Sequence, residues 1–237
     1  MEFVDFNGRR FENISFSLNK GEVVSLTGLL GSGCFDFGRS IFGLDLVKNG
    51  SLILKGEKRH FFKNTMQSVK AGICFLSENR KTEGIYNDKS VLFNITISSL
   101  KKFLTWIFLK KSQQKKVSDS YIKDLSIKLR DVNDAIKNLS GGNQQKVIIA
   151  RWLVSNSDIF IFCLPTQGID VEGKREILNI INNLSKEGKA ILIISDELDE
   201  IISVSNRILV FRDKKIIAEF VHPNFDKEKI LNKMIGG

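Results

Sequence analysis

Residues 138–146, Asn-Leu-Ser-Gly-Gly-Asn-Gln-Gln-Lys, constrain this chain more than any other stretch. They lead directly into an apolar run, residues 147–153, whose composition predicts a buried helix. Ser140 stands where a helix N-cap residue belongs, and Gly141 and Gly142 leave the first backbone N–H groups uncovered. The pattern therefore predicts a helix start that can hold an anion, although plain capping also explains a Ser-Gly-Gly sequence.

A second motif joins a strand to a helix near the N-terminus. The apolar run 23–26 predicts a strand that ends at Gly28, and residues 35–42 have a helical pattern. Between them lies a glycine-rich loop formed by Gly28, Leu29, Leu30, Gly31, Ser32 and Gly33. The order strand, glycine loop, helix is that of a phosphate-binding loop, and a glycine turn that merely joins the two elements is the alternative.

Predicted strands and helices alternate along most of the chain. Strands are predicted at residues 14–18, 23–26, 51–54, 72–76, 159–164 and 190–194, and a hairpin at 207–212 and 215–221. Helices are predicted at residues 35–42, 118–130, 171–184 and 226–235, and helical patterns dominate from about 93 to 153. Alternation of this kind predicts an α/β fold with a mainly parallel sheet core, some antiparallel strands and an inserted helical subdomain.

Length and composition suit one domain over residues 1–237, because 42% hydrophobic content can bury a substantial core. The net charge of +9 fits nucleic acid, an acidic membrane face or anionic ligands, and a lysine-rich composition alone also produces it. Cys34, Cys74 and Cys163 lie far apart without metal-ligand spacing, so neither a disulfide framework nor a metal site is expected. A reducing cytoplasm is consistent with this cysteine usage.

Targeting and membrane segments are not expected from the sequence. Residues 1–5 are acidic and too little apolar for a signal peptide. The strongly apolar segment 103–109 has seven residues, against the roughly 20 that a spanning helix needs. We therefore expect a chain that does not cross a membrane by itself.

Residues 139–143 resemble the Leu-Ser-Gly-Gly-Gln signature of the ATP-binding cassette (ABC) ATPases, whose P-loop NTPase-like fold matches the predicted order of elements. The version continuing as Asn-Gln-Gln-Lys is similar to the second cassette of the duplicated ATP-binding subunit in sugar and nucleoside importers. The resemblance implies a helical subdomain at about residues 87–155. The family's subunit is usually about twice as long as this chain, which implies that the chain is a half, a fragment or a separate product. It also implies a signature that closes over ATP held by a facing cassette, formed here by Leu139, Ser140, Gly141, Gly142, Asn143 and Gln144.

This chain has the glycine spacing of the family's phosphate loop but lacks the side chains that bind phosphate and metal there. Cys34 stands at the position of the phosphate-binding Lys, and Phe35 at that of the hydroxyl that holds magnesium. A neutral Cys cannot supply charge-assisted hydrogen bonds, each worth about 1.5–3 kcal/mol, and Phe has no oxygen for a metal. We expect ATP to bind here weakly, through backbone amides alone, or in a site shared with a partner.

The family's catalytic carboxylates are also replaced. Where the family strand ends in Asp-Glu-Pro-Thr, this chain has Cys163-Leu164-Pro165-Thr166. Asp196 aligns with the switch His, although a capped helix start at Ser195 explains the same local pattern. The resemblance therefore implies no intact catalytic set, with magnesium entering only through a partner cassette.

Other matching positions imply contacts with partners. Residues 77–84 resemble the loop that borders the family's groove for a permease helix, which assigns permease contact to Glu78, Arg80 and Lys81; a solvated charged loop is the alternative. Asp170 matches a position at the contact between cassettes and is equally placed to cap a helix. For stacking on adenine, the candidates are the aromatic residues before the first strands, Phe6 and Phe11, either of which equally suits the core.

The resemblance favours a catalytically degenerate cassette of a sugar or nucleoside importer at the cytoplasmic face of the membrane. Its expected partners are a second cassette, membrane permease subunits and, indirectly, an extracellular substrate-binding protein. One alternative is an active ATPase in which Asp36, Glu197 or Asp170 replaces the missing carboxylates. The other is a scaffold or nucleic-acid partner, which is disfavoured because basic and aromatic residues do not interleave as in a base-reading surface. The transported substrate does not follow from these residues.

Overall fold

The computed structural model describes residues 1–59 and 61–236. They divide into two compact units, each described here by itself. The first unit contains residues 1–75, 158–164 and those from 181 onward, and the second contains residues 76–157 and 165–180.

The strands are β1 (Glu2–Gly8), β2 (Ile14–Ser17), β3 (Val23–Gly28), β4 (Val47–Leu54), β5 (Glu57–Arg59), β6 (Ile73–Leu76), β7 (Leu104–Thr105), β8 (Phe108–Leu109), β9 (Ile159–Cys163), β10 (Ala190–Ile194), β11 (Arg207–Arg212) and β12 (Lys215–Val221). The α-helices are α1 (Cys34–Ile41), α2 (Thr65–Lys70), α3 (Val91–Thr96), α4 (Lys111–Asp124), α5 (Gly141–Val154), α6 (Val171–Lys186), α7 (Leu198–Val204) and α8 (Lys227–Ile235). Shorter helical turns are a π-helical turn (Arg80–Gly84) and two 3₁₀ segments (Ile97–Phe103 and Ile136–Asn138).

A six-stranded sheet in the order β12-β11-β3-β10-β9-β6 forms the centre of the fold. Strands β11, β3, β10 and β9 pair in parallel in this order, and β12 pairs antiparallel with β11 at the edge of the sheet. Every residue of β3, β9 and β10 is buried, as expected for parallel strands covered on both faces. The predicted mainly parallel core with a C-terminal hairpin is confirmed.

A second sheet of the first unit, in the order β2-β1-β4-β5, is antiparallel. Its first strand, β1, is absent from the sequence prediction. The pairing register of β1 with β4 shifts between Val4 and Asn7, and Asp5 has a φ of 48°. Because this irregularity interrupts the alternation of buried and exposed residues, the strand has no simple period of two in the sequence.

Phe37 of α1 lies at the centre of an aromatic cluster in the first unit. Its ring contacts Phe6 and Phe11 edge-on, with centroid distances of 6.0 and 5.4 Å. Phe6 and Phe11 are 1% and 0% exposed. Both adenine-stacking candidates are therefore core residues, because neither ring has a face that a nucleotide base can reach.

The second unit is mainly helical, and a buried arginine links two of its helices. Arg151 of α5 donates to the Asn94 carbonyl oxygen (2.6 Å), to the Asn94 Oδ1 (3.1 Å) and to the Gly84 carbonyl oxygen (2.7 Å). Burial lowers the pKa of Arg151 to about 10, so the guanidinium stays charged at neutral pH. These hydrogen bonds fix α5 against α3 and against the end of the π-helical turn.

The helix predicted at residues 118–130 lies earlier in the chain, because α4 spans Lys111–Asp124. The chain leaves the helix at Ser126, which has a φ of 51°. Apolar residues continue beyond that point because Ile127 and Val132 are buried in the following loop. The helical spacing of apolar residues therefore continues past the observed end of α4, which explains why the helix was predicted to end too late.

The apolar segment 103–109 forms a short two-stranded hairpin, β7–β8, which the sequence does not predict. Within the described ranges, none of the helices combines the length and the hydropathy that crossing a bilayer requires.

Candidate functional site

The glycine loop of the first unit runs from the end of β3 to the start of α1. Ser32 N donates to the Leu29 carbonyl oxygen at 2.9 Å and closes a turn. Gly33 has a φ of 101°, and a Cβ placed on it would lie 1.9 Å from the Arg10 carbonyl oxygen. Only glycine fits this position, and the predicted order of strand, glycine loop and helix is present.

Cys34 is the first residue of α1 and is 1% exposed. The Ser32 Oγ donates to its Sγ at 3.4 Å. Burial raises the pKa of the Cys34 thiol to about 11, so the group at the position of the family's lysine is neutral at physiological pH. Phe35, which follows it, is half-buried and carries no oxygen.

The ends of the neighbouring parallel strands lie beside this loop. Strand β9 ends at Cys163 next to Ile194, the last residue of β10. Leu164 N donates to the Ile194 carbonyl oxygen at 2.9 Å, and Ser195 N donates to the Leu26 carbonyl oxygen at 3.1 Å. The structure thus brings the loop, the Cys163-Leu164 pair and the segment before Asp196 to one edge of the sheet, where ligands bind in open α/β folds.

Four side chains at this edge that replace the family's phosphate and metal ligands carry no oxygen. Magnesium requires oxygen ligands, and Cys34, Phe35, Cys163 and Leu164 supply a thiol, a ring, a thiol and an alkyl group. Asp36 is paired with Arg10, with 3.7 Å between Nε and Oδ1. In the part of the chain that the structure describes, no group of three or more His, Cys, Asp or Glu side chains is arranged to hold a metal ion.

The signature segment lies in the second unit at the start of α5. Ser140 occupies the N-cap position, as predicted, yet its side chain makes no capping hydrogen bond to the first-turn amides. Instead, the Asn143 Nδ2 donates to the Ser140 Oγ at 2.9 Å, and the Asn143 Oδ1 accepts from Lys128 N at 2.8 Å. The Ser140 side chain is exposed.

The residues that follow anchor the signature. The Gln144 Nε2 donates to the Leu139 carbonyl oxygen at 3.1 Å. Lys146 is 2% exposed, and its Nζ lies 2.8 Å from a carboxylate oxygen of Glu176. A surface groove of about 720 Å³ borders Ser140, and the preceding loop contributes two basic and two acidic residues to its lining. The signature is therefore a fixed helix start beside an open groove.

Arg80 brings three sequence motifs of the second unit together. Its Nη1 donates to the Gln167 carbonyl oxygen at 3.4 Å. A Cβ added to Gly141 would lie 2.9 Å from the Arg80 Nη2 and 2.8 Å from the Gly168 carbonyl oxygen. Arg80 thus connects residues 77–84 to the signature and to the loop before α6, a contact that sequence reasoning missed because the three segments are distant in sequence.

The segment that begins at Arg80 is a π-helical turn rather than an irregular loop. The Ser77 Oγ donates to the Glu83 Oε2 at 2.6 Å across this turn. Glu78 is half-buried, and Lys81 is exposed. Single π-helical turns are frequent at functional sites, although they give no periodic signal in a sequence.

Asp170 caps α6, since its Oδ1 accepts from Gly173 N at 2.8 Å. This is the capping alternative that the sequence allowed. Ser195 behaves differently from its prediction. Its Oγ accepts from Glu197 N at 3.1 Å and closes a turn, and α7 begins only at Leu198.

Comparison with known proteins agrees with this geometry. Residues 11–167 match the family described as "ABC transporter". The chain is 40% identical over 227 residues to the "Ribose import ATP-binding protein RbsA" of Oceanobacillus iheyensis, covering 96% of this chain and 46% of that protein. It is 37% identical over 227 residues to the "Putative ribose/galactose/methyl galactoside import ATP-binding protein 1" of Rhizobium etli, covering 96% and 43%. The chain thus spans about half the length of the curated relatives it matches.

Solved structures show the same fold at low identity. The dimeric ATP-binding cassette MJ0796 bound to ADP and Pi superposes with a TM-score of 0.80 and 20% identity, covering 94% of this chain and 99% of that one. The ATP-binding cassette MJ1267 gives a TM-score of 0.81 and 21% identity, covering 99% and 96%. The fold is that of a P-loop NTPase cassette, and together with the family match these findings show that the chain belongs to the ABC transporter family.

Proposed function

We propose that this chain is the degenerate cassette of a sugar import system of the ribose and galactose class. In this proposal its own glycine loop does not support hydrolysis, and its signature completes the ATP site of a facing cassette. Its relatives named for ribose and galactose import support the substrate class. Residues 138–146, which resemble the second cassette of the duplicated importer subunit, support its place as the C-terminal cassette.

The observation that carries the proposal is the contrast between the two motifs. The signature has an exposed Ser140 hydroxyl at a helix start held in place by Asn143. The glycine loop has a buried neutral thiol, Cys34, where a cation is needed. A helix start attracts a phosphate through its partial positive charge and its N–H groups, whereas a neutral thiol cannot replace a lysine.

The arrangement of side chains at the start of α5 supports a role in binding rather than in folding alone. A serine that served only to cap the helix would direct its oxygen at the first-turn amides. Here the Ser140 oxygen accepts from Asn143 and stays exposed beside the groove. The Arg80 guanidinium lies against the same helix start, next to Gly168, so we expect a displacement of residues 77–84 to move the signature.

The partners and organisation follow as proposals from the same observations. We assign residues 1–237 to one nucleotide-binding domain with a helical subdomain at about 87–155. ATP would bind to its own loop weakly and without magnesium, while magnesium would enter through the facing cassette. Contact with membrane permease subunits through Glu78, Arg80 and Lys81 would place the chain at the cytoplasmic face of the membrane, in indirect contact with an extracellular sugar-binding protein. Asp170 would lie at the contact between cassettes.

The test is ATP turnover by the transporter purified from its own cells through a tag on this chain. Ser140→Arg fills the groove side of the signature and should lower turnover at least about 100-fold, the scale of losing a preorganised charge-stabilising group. Ser112→Arg, the same change on the exposed first turn of α4, is the matched control and should leave turnover unchanged. Cys34→Ala should also have little effect.

The opposite pattern would reject the proposal. If Cys34→Ala abolishes turnover and Ser140→Arg does not, the chain works with its own loop. Magnesium-dependent hydrolysis by the isolated chain would favour the alternative of an active ATPase with unusual carboxylates.

A further inference from the structure

The hairpin of residues 104–109, here called the aromatic hairpin, projects large apolar side chains into solvent. Strands β7 and β8 pair through Leu104 with Leu109 and Thr105 with Phe108. Trp106 and Ile107 form the tip and are 95% and 82% exposed, and Phe108 is 74% exposed. Scattered single apolar residues are common on surfaces, but a contiguous cluster of this kind marks an interaction site.

The apolar side chains of the aromatic hairpin lie on both of its faces. Successive residues of a strand point to opposite sides, so the pair Leu104 and Leu109 faces away from Phe108. All three are exposed. An apolar wedge exposed on both faces suits insertion into a fluid apolar phase, which contacts it from every side.

The base of the aromatic hairpin is firmly attached to the second unit. Phe103, immediately before it, is 2% exposed, and Lys110 N donates to the Phe103 carbonyl oxygen at 2.9 Å. The Lys102 Nζ donates to the Val154 carbonyl oxygen at 2.7 Å. The exposed tip is therefore held on an ordered base.

The sequence on either side of the aromatic hairpin carries charge of one sign. Between Asp88 and Asp119 the chain contains seven lysines and no acidic residue. Three of them, Lys101, Lys110 and Lys111, flank the hairpin and are exposed. Such a surface attracts anions, and long lysine side chains can reach phosphate groups while their stems lie along an apolar layer.

Two local features oppose stability and so favour a role in binding. Lys110 and Lys111 stand at the N-terminus of α4, where the helix dipole disfavours positive charge. Trp106 has a φ of 59°, a conformation that glycine or asparagine adopts more readily. Neither arrangement is what folding of this segment alone would select.

We propose that the aromatic hairpin inserts its tip into the surface of an anionic phospholipid bilayer, with Lys101, Lys110 and Lys111 contacting the headgroup phosphates. Tryptophan at a tip suits the interface between headgroups and acyl chains, and basic side chains beside an apolar wedge are the combination that anionic membranes bind. A lipid surface therefore accounts for the hairpin better than a protein partner.

The two tryptophans of the chain allow a direct test. Trp106 is 95% exposed, while Trp152 is 7% exposed and provides a constant background. The purified chain is mixed with vesicles of phosphatidylglycerol and phosphatidylcholine, or of phosphatidylcholine alone, and its emission is recorded. With the anionic vesicles we expect the emission to shift to the blue and to be quenched by brominated acyl chains. In Trp106→Asn we expect neither signal. Asparagine is chosen because it adopts a positive φ readily.

Flotation with the same vesicles measures binding in the variants. Trp106→Asn combined with Phe108→Thr, and separately Lys110→Gln combined with Lys111→Gln, should each lower the affinity for anionic vesicles about tenfold or more. The matched controls are Leu46→Asn, at a site that is 86% exposed, and Lys70→Gln combined with Lys186→Gln, at exposed lysines elsewhere. These controls should bind like the unmodified chain, and the emission of Trp152 verifies that every variant is folded.

Three results would overturn the proposal. One is an absence of binding to anionic vesicles, and another is binding that the hairpin variants leave unchanged. The third is protection of Trp106 only in vesicles that contain a permease, which would assign the hairpin to a protein contact. The proposal does not depend on the proposed function, because vesicles without any transporter partner are sufficient for the test.

Discussion

The Oγ of Ser32 lies 3.4 Å from the Sγ of Cys34, so the hydroxyl of the glycine loop donates to a thiol inside the loop. Both side chains are buried. The loop thus satisfies its own polar groups at the position where a working phosphate loop presents a cation. This relationship is the local basis for expecting little nucleotide chemistry in the first unit.

The first prediction concerns the pH dependence of stability. Burial raises the pKa of Cys34 from 9.0 to about 11, so between these values the unfolded chain loses a proton that the folded chain retains. Below pH 9 the Cys34 thiol should not change the free energy of unfolding. As the pH rises from 9 to 11, the free energy of unfolding should fall by about 2–3 kcal/mol. Urea unfolding at several pH values measures it.

Cys34→Ala isolates that contribution, because the other alkaline titrations are common to both proteins. The difference in unfolding free energy between the unmodified chain and Cys34→Ala should shrink as the pH rises from 9 to 11. A difference that stays constant over this range would show that the Cys34 thiol ionises as readily in the folded chain as in the unfolded one.

The second prediction compares two adjacent glycines of the signature. In Gly141→Ala the new Cβ would lie 2.8 Å from the Gly168 carbonyl oxygen, which is backbone and cannot easily move. In Gly142→Ala the nearest atom is the Ile169 Cγ2 at 3.4 Å. We expect Gly141→Ala to destabilise the chain by about 1–3 kcal/mol, and Gly142→Ala to be neutral or to stabilise it by up to about 1 kcal/mol.

Thermal unfolding of the two variants checks this expectation. Equal stability of both would mean that the start of α5 does not approach the loop at Gly168 as closely as the structure shows.

The third prediction concerns Arg151. Arg151→Met would leave the carbonyl oxygens of Asn94 and Gly84 without their donor in a buried region, at a cost of roughly 3 kcal/mol. Arg130→Met, at an exposed arginine of the same unit, should change the free energy of unfolding by less than about 0.5 kcal/mol. Similar urea midpoints for the two variants would rule out a structural role for the Arg151 hydrogen bonds.

The fourth prediction concerns nucleotide binding by the isolated chain. Isothermal titration should find weak ATP binding that magnesium does not strengthen, because the loop offers amides without a cation or a metal ligand. Cys34→Lys combined with Phe35→Ser restores both groups and should raise the affinity about tenfold or more, now with magnesium dependence. Tight, magnesium-linked binding by the unmodified chain would contradict the account of its loop.

Much of the fold follows from the sequence because its central strands are continuous apolar runs. Strands β9 and β10 were predicted almost to their observed ends, and so was the C-terminal hairpin. The misses have local causes. β1 was not predicted because the bulge at Asp5 interrupts its alternating pattern. The end of α4 was misplaced because the residue with a positive φ there is Ser126 and not a glycine.

The site was predictable where one short motif contains it and unpredictable where it depends on long-range contacts. The glycine loop and the start of α5 are each contiguous, so their sequences identify them. The junction at Arg80 depends on Gly141 and Gln167, which lie 61 and 87 residues away in the sequence. The aromatic hairpin was visible only as an apolar segment too short to span a membrane, and its exposure required the structure.

The proposed division of work between two cassettes is tested most directly by counting the nucleotides trapped in the assembled transporter. The transporter is purified through a tag on this chain and incubated with magnesium, ATP and vanadate. Each pair of cassettes should then retain one nucleotide, bound by the facing cassette. Ser140→Arg should abolish this trapping, and Cys34→Ala should preserve it. Two nucleotides trapped per pair, or trapping that survives Ser140→Arg, would contradict the account.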